Sequence, residues 1–113
     1  MTTLEKYTAL HRDHPDEFNA EVAKMMGWTD LTRKSGRSPG TIPTCRQKFF
    51  DYARSADADL AVREWAATRT DGFWPRFRAA IDELVPDGGH CVEYQIGHYS
   101  IAALAAAESE KEI

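Results

Sequence analysis

Six basic side chains between positions 33 and 54 are the strongest chemical signal in this 113-residue sequence. Arg33, Lys34 and Arg37 stand among serines and glycines. Arg46, Lys48 and Arg54 follow, and Asp51 is the single acid in the stretch. Guanidinium and ammonium groups at this density suit phosphate oxygens, and they suit an acidic protein surface equally well. The Gly36…Gly40 spacing is not followed by Gly-Lys-Ser/Thr, so it is not the phosphate loop of nucleoside triphosphatases. A contact made through these residues weakens steeply with salt.

Histidine chemistry is thinner. His11 and His14 form an HxxH, and His90 with Cys91 and His98 flank a short alternating segment. None of these spacings is that of a zinc motif, so no metal ligands are assigned. His98 reads instead as a core-edge histidine with a hydrogen-bonded partner. The sequence contains no GxSxG, no HExxH and no nucleophile beside an obvious base. His90 and Cys91 are adjacent, and neighbours on a strand face opposite sides, which spoils them as a dyad. No catalytic residue, metal site or cofactor is expected, and the protein reads as one that binds.

The elements that display the basic residues follow from periodicity. Leu4, Tyr7, Leu10 and His11 share a helical face ahead of the break at His14-Pro15. Phe18, Val22, Met25 and Met26 make the apolar face of a second helix, which opens on Asp16 and Glu17 and ends at Gly27. Residues 31–42 lack periodicity and are rich in turn formers, so they read as a long loop. A helix is expected over Pro43–Arg54, with Cys45, Phe49, Tyr52 and Ala53 on one face, and another over Ala58–Arg69 with Asp57 as its cap. The two would form a helical hairpin. Phe73, Phe77, Ala80, Ile81 and Leu84 line one face of a further helix with Pro75 in its first turn. After the turn at Pro86–Gly89, Val92, Tyr94 and Ile96 alternate with polar residues and Gly97, which predicts a strand. An alanine-rich helix closes the chain over Ile101–Ala107, and a frayed polar tail is expected over 108–113. A lone strand leaves its backbone groups unpaired, so either weaker strands lie within 31–42 or Val92–Ile96 pairs across a two-fold homodimer.

Composition sets the class. The sequence is 42% apolar, with five Phe, four Tyr and three Trp, enough for one core in one domain of 1–113. No apolar run approaches the roughly 20 residues of a membrane span. The first residues lack a basic segment followed by an apolar one, so no signal peptide and no membrane partner are expected. Cys45 and Cys91 are far apart in sequence, and a reduced cytoplasmic protein is the simplest reading, although a bridge between them remains open. The net charge of −4 is uneven: residues 33–78 carry ten Lys or Arg against five acids, and both ends are acidic. A typical nucleic-acid-binding domain is basic throughout.

Two stretches carry a resemblance. Met25-Met26-Gly27-Trp28-Thr29-Asp30 is a helix end followed by Gly-Trp. Tyr99-Ser100-Ile101-Ala102-Ala103-Leu104-Ala105-Ala106-Ala107 follows the expected strand. Together they resemble small phage-encoded proteins of the phage ABA-sandwich type. The resemblance implies a phage or prophage accessory protein in a bacterial cytoplasm. Such proteins act by binding, including inhibition of host defence machinery such as CRISPR complexes.

The expectation is therefore an α+β, mainly helical domain with about five helices and one clear strand, Val92–Ile96, between the last two. It would be a non-enzymatic phage accessory factor that inhibits a host protein or ribonucleoprotein complex through Arg33, Lys34, Arg37, Arg46, Lys48 and Arg54. A nucleotide-messenger binder is the first alternative, with Arg33, Lys34 and Arg37 joined by Trp74 or Tyr99. A helix-turn-helix DNA binder is the second, its reading helix offering Arg63 and Arg69 beside Asp59 and Glu64.

Overall fold

The computed structural model describes residues 2–39, 46–69, 72–84 and 96–111. It is an α+β, mainly helical fold. The elements run α1 (Thr3–Asp13), α2 (Pro15–Met25), β1 (Ser35–Gly36), β2 (Gln47–Lys48), α3 (Ala56–Thr68), α4 (Phe73–Leu84) and α5 (His98–Lys111). The antiparallel pair β1–β2 lies between the second and third helices. Among the described residues no helix is long and apolar enough to cross a membrane. The expected strand and dimer edge at Val92–Ile96 fall outside the described residues, except Ile96, which sits in the turn before α5. Cys45, His90 and Cys91 also lie outside them.

Local chemistry explains most boundaries. The Thr2 hydroxyl accepts the Glu5 N–H at 3.2 Å and starts α1. Pro15 opens α2, where its missing N–H is no loss. The chain leaves α2 through Gly27 at φ +98°, with Gly27 N–H donating to Lys24 and Trp28 N–H to Ala23. That paired closure satisfies the last carbonyls and needs a residue at home in the left-handed region. Trp28 is thereby folded back and buried.

Two sequence expectations are corrected between residues 46 and 69. Residues 47–48 are strand rather than helix, and 49–55 are irregular. Phe49 and Phe50 both present their rings to Trp28, with centroids 5.3 and 5.6 Å away in edge-to-face geometry. Successive residues of an α-helix point roughly 100° apart, so a helix would turn one of these rings away. Without that helix there is no helical hairpin and no helix-turn-helix. The cap of α3 is Ser55, whose hydroxyl accepts the Ala58 N–H at 3.4 Å; Asp57 lies inside the first turn.

The core is built around α5. From Ser100 to Ala106 every residue is buried, so this helix is enclosed on all sides, and α1, α2, α3 and α4 all pack on it. Its alanines let the surrounding helices approach closely. Phe73, Phe77 and Ala80 of α4, Val62 and Ala66 of α3, and Phe18 and Val22 of α2 complete the core. The helix is longer at both ends than the alanine run, and Glu108 near its end meets Lys6 of α1 at 3.1 Å.

The start of α5 is set by a buried carboxylate. Asp59 of α3 has no exposed surface and accepts the Ser100 N–H at 2.9 Å, the Ser100 hydroxyl at 2.6 Å and the Tyr99 N–H at 3.4 Å. These are donors that a helix start otherwise leaves unpaired, and the carboxylate also meets the positive end of the helix dipole. Just before it, Gly97 adopts φ +104° and the His11 ring lies against the hydrogen that stands where a Cβ would be. His11 Nε2 also donates to the Ala53 carbonyl at 2.8 Å.

Removing Asp59 strands buried N–H groups. Asp59→Ala is expected to cost about 3 kcal/mol of unfolding free energy, and Asp59→Asn, which keeps an acceptor, about 1 kcal/mol, both read from urea midpoints at unchanged slope. His98, half-buried at the same helix end, titrates below its ordinary value because burial disfavours its charged form; nearby His11 adds to this and Asp59 opposes it. A folded state that binds the proton less readily than the unfolded chain loses stability as pH falls through the unfolded value of 6.5 and towards the folded one. The urea midpoint is expected to fall between about pH 7.5 and pH 5, and to fall less in His98→Gln.

Candidate functional site

The basic segment is carried by a compact ribbon. Thr29 and Arg37 exchange backbone hydrogen bonds of 3.0 and 2.8 Å, and Thr32 N–H donates to the Ser35 carbonyl at 2.8 Å. Arg33 and Lys34 are therefore the exposed tip of a tight turn, which the Thr32 hydroxyl braces by accepting the Ser35 N–H at 3.1 Å. On the other edge, Ser35 pairs with Lys48 and Gly36 with Gln47, and Phe49 N–H continues the ladder to the Lys34 carbonyl at 3.1 Å. Gly36 is buried in this ribbon. A Cβ there would lie 3.0–3.1 Å from the Thr29 carbonyl, the Leu31 methyl and the Phe49 ring, so only glycine fits without a shift.

This pairing brings four of the six expected residues together. Arg33, Lys34, Lys48 and Arg54 line one shallow depression of about 280 Å³, with Phe49, Asn19, Asp16 and Asp51 also in its wall. Arg54 is held by carboxylates: its Nε lies 3.0 Å from Asp51 and its Nη2 4.0 Å from Asp16. Arg33, Lys34 and Lys48 form no ion pair among the described residues. The remaining two do not line the depression. Arg37 Nε lies 3.1 Å from Asp30, which itself adopts φ +49°, and Arg46 donates to the Ser35 hydroxyl at 3.3 Å.

The support beneath is aromatic and amide. Trp28 packs under the ribbon against Phe49 and Phe50. Tyr52 is buried next to them, and desolvation pushes its phenol up to about 12, with the Trp28 side chain opposing part of that rise. Asn19 ties α2 to the chain after β2: its Nδ2 donates to Asp51 at 3.1 Å and its Oδ1 accepts the Ala53 N–H at 2.9 Å. Sequence reasoning missed Asn19, Asp16 and the role of Asp51. One signal was available for Asn19, an amide three residues before Val22 and beside Phe18 on an otherwise apolar helix face.

Two apolar side chains break the polar surface of this region. Phe50 is 51% exposed and Leu31 39% exposed, both on segments that carry the cations. Trp74 and Tyr99, expected as stacking partners for a nucleotide, instead share Arg63, whose guanidinium carbon lies 6.0 and 5.9 Å from their ring centres. Among the described residues no group of three His, Cys, Asp or Glu is placed to hold a metal ion. His11 is engaged by Ala53, and His14 forms the junction of α1 and α2.

Asn19→Ala leaves the buried Ala53 N–H without its acceptor and Asp51 without its amide donor. The expected cost is about 2 kcal/mol in urea unfolding, with the helical circular-dichroism signal retained.

The chain matches no known family model, no curated protein and no solved structure, so the reading of function rests on this geometry.

Proposed function

We propose that the protein is a non-enzymatic binding factor that docks the ribbon of β1 and β2 on an acidic protein surface. The observation that carries the reading is the convergence of Arg33, Lys34 and Lys48, three cations with no ion pair among the described residues, beside exposed Phe50 and Leu31. Cations supply steering and register, and an exposed ring flanked by them supplies the apolar anchor that such interfaces need. The depression is small and open, which suits partner side chains better than an enclosed ligand. Asp16, Asp30 and Asp51 interrupt the positive field, which disfavours a continuous phosphate backbone and favours a partner of mixed charge. A phage factor that blocks a bacterial host complex, acting in that cytoplasm, fits this mode of action. The resemblance of residues 25–30 and 99–107 is what points to that setting.

Tagged protein is used to capture partners from nuclease-treated bacterial lysate, and recovered partners are titrated individually. Affinity is expected to fall with added salt, to drop at least tenfold in Arg33→Ala/Lys34→Ala/Lys48→Ala, and to weaken by about 1–2 kcal/mol in Phe50→Ala. A partner bound equally by all these variants, or one lost on nuclease treatment, overturns the reading.

A further inference from the structure

A second cavity, of about 550 Å³, lies where all five helices meet and shares no residue with the hairpin depression. Its floor is apolar. Phe73 at the start of α4 and Leu104 of α5 are buried there, with half-buried Met25 from the end of α2. Its rim is charged, with Lys24 and Arg69 against Glu21 and Glu108. Glu108 is already matched, because the Lys6 ammonium lies 3.1 Å from its Oε1. Arg69 follows the last turn of α3 and stands over two aromatic faces, with its guanidinium carbon 5.0 Å from the Trp65 ring centre and 5.1 Å from that of Phe73. Stacking engages a guanidinium through its faces and fixes its plane, while its N–H donors lie in that plane.

We propose that this cavity binds an amphipathic monoanion, its apolar body on Phe73, Leu104 and Met25 and its carboxylate at Arg69 and Lys24. Size and charge select that class. The volume lies in the range of about 300–1,000 Å³ of small-molecule sites. With Glu108 matched by Lys6, the rim offers two cations against one carboxylate, Glu21, which fits a single negative charge. A dianion such as a phosphate monoester would bring its second charge against Glu21. The arrangement of an apolar floor with a few polar groups at one edge fixes the ligand's direction, tail inward and acid outward. This inference is independent of the hairpin reading, because the two sites have no residue in common.

Dodecanoate, held below its micelle concentration, is the probe, and the emission of Trp65, which touches both Arg69 and Phe73, is the readout together with the melting temperature. Saturable binding that raises the melting temperature is expected, because a ligand of the folded state stabilises it. Lys24→Glu is expected to weaken binding at least tenfold, and Arg69→Gln likewise. Lys24 is exposed on α2, so its replacement tests the site even where loss of the Arg69 stack disturbs folding. Dodecylammonium and dodecanol are expected to bind at least tenfold more weakly than dodecanoate. The proposal is overturned by the absence of saturable dodecanoate binding, by equal binding of dodecylammonium or dodecanol, or by unchanged affinity in Lys24→Glu.

Discussion

A helix enclosed by four others has to have its unpaired ends satisfied from within, and in this protein Asp59 does so at the start of α5. The residue sits on α3 with no exposed surface, and its carboxylate takes the N–H groups of Tyr99 and Ser100. The alternative, a buried helix start with orphaned donors, costs on the order of 1–3 kcal/mol for each group left unpaired. Asp59 therefore fixes the axial position of α5 against α3. Every other packing face depends on that position, because α1, α2 and α4 also close on the same helix. An alanine helix has little side-chain shape of its own with which to set its register. A polar lock at one end supplies the register that small side chains do not.

That lock also reaches the hairpin. His11 lies against Gly97 at the start of α5 and donates to the Ala53 carbonyl. Asn19 receives the Ala53 N–H and donates to Asp51. One residue, Ala53, thus has its carbonyl held by α1 and its N–H by α2. The adjacent Asp51–Arg54 pair borders the basic depression. The ribbon itself has only two residues in each named strand, too few to stand alone in water. Its orientation comes from Trp28, which the Gly27 turn folds back and on which Phe49 and Phe50 pack. The recognition surface is accordingly positioned by aromatic packing and by two polar side chains beneath it, and its cations are left to the solvent side.

The helix faces were legible because burial follows a period that sequence displays. Phe73, Phe77 and Ala80 are buried on α4 as their spacing predicts, and Pro15 and Gly27 mark the ends of α2. Residues 46–54 were not legible, since Phe49, Tyr52 and Ala53 satisfy a helical spacing by coincidence. What decides their conformation is Trp28, a partner some twenty residues away whose position no local pattern reveals. The possibility of a weak strand within 31–42 followed from backbone accounting alone, and β1 lies there. Asp59 looked like one more acid on an exposed helix, because nothing in the sequence shows that the start of α5 will be packed against it. Of the six expected cations, Arg33, Lys34, Lys48 and Arg54 are brought together by strand register, whereas Arg37 and Arg46 are drawn to Asp30 and Ser35. Composition found the cluster; only pairing could divide it.

The division of those cations has a physical consequence for how such a surface works. Arg54 and Arg37 are set against carboxylates, so they stiffen the ribbon and its base more than they attract a partner. Arg33, Lys34 and Lys48 contribute the field that an approaching acidic surface meets first, and at exposed sites each contributes little on its own. Affinity must then come from desolvated contact, for which Phe50 and Leu31 are the available side chains. A surface built in this way separates the two tasks. Its charges set the approach and orientation, its exposed apolar side chains set the lifetime of the complex, and neither set is needed to hold the core that Asp59 and α5 define.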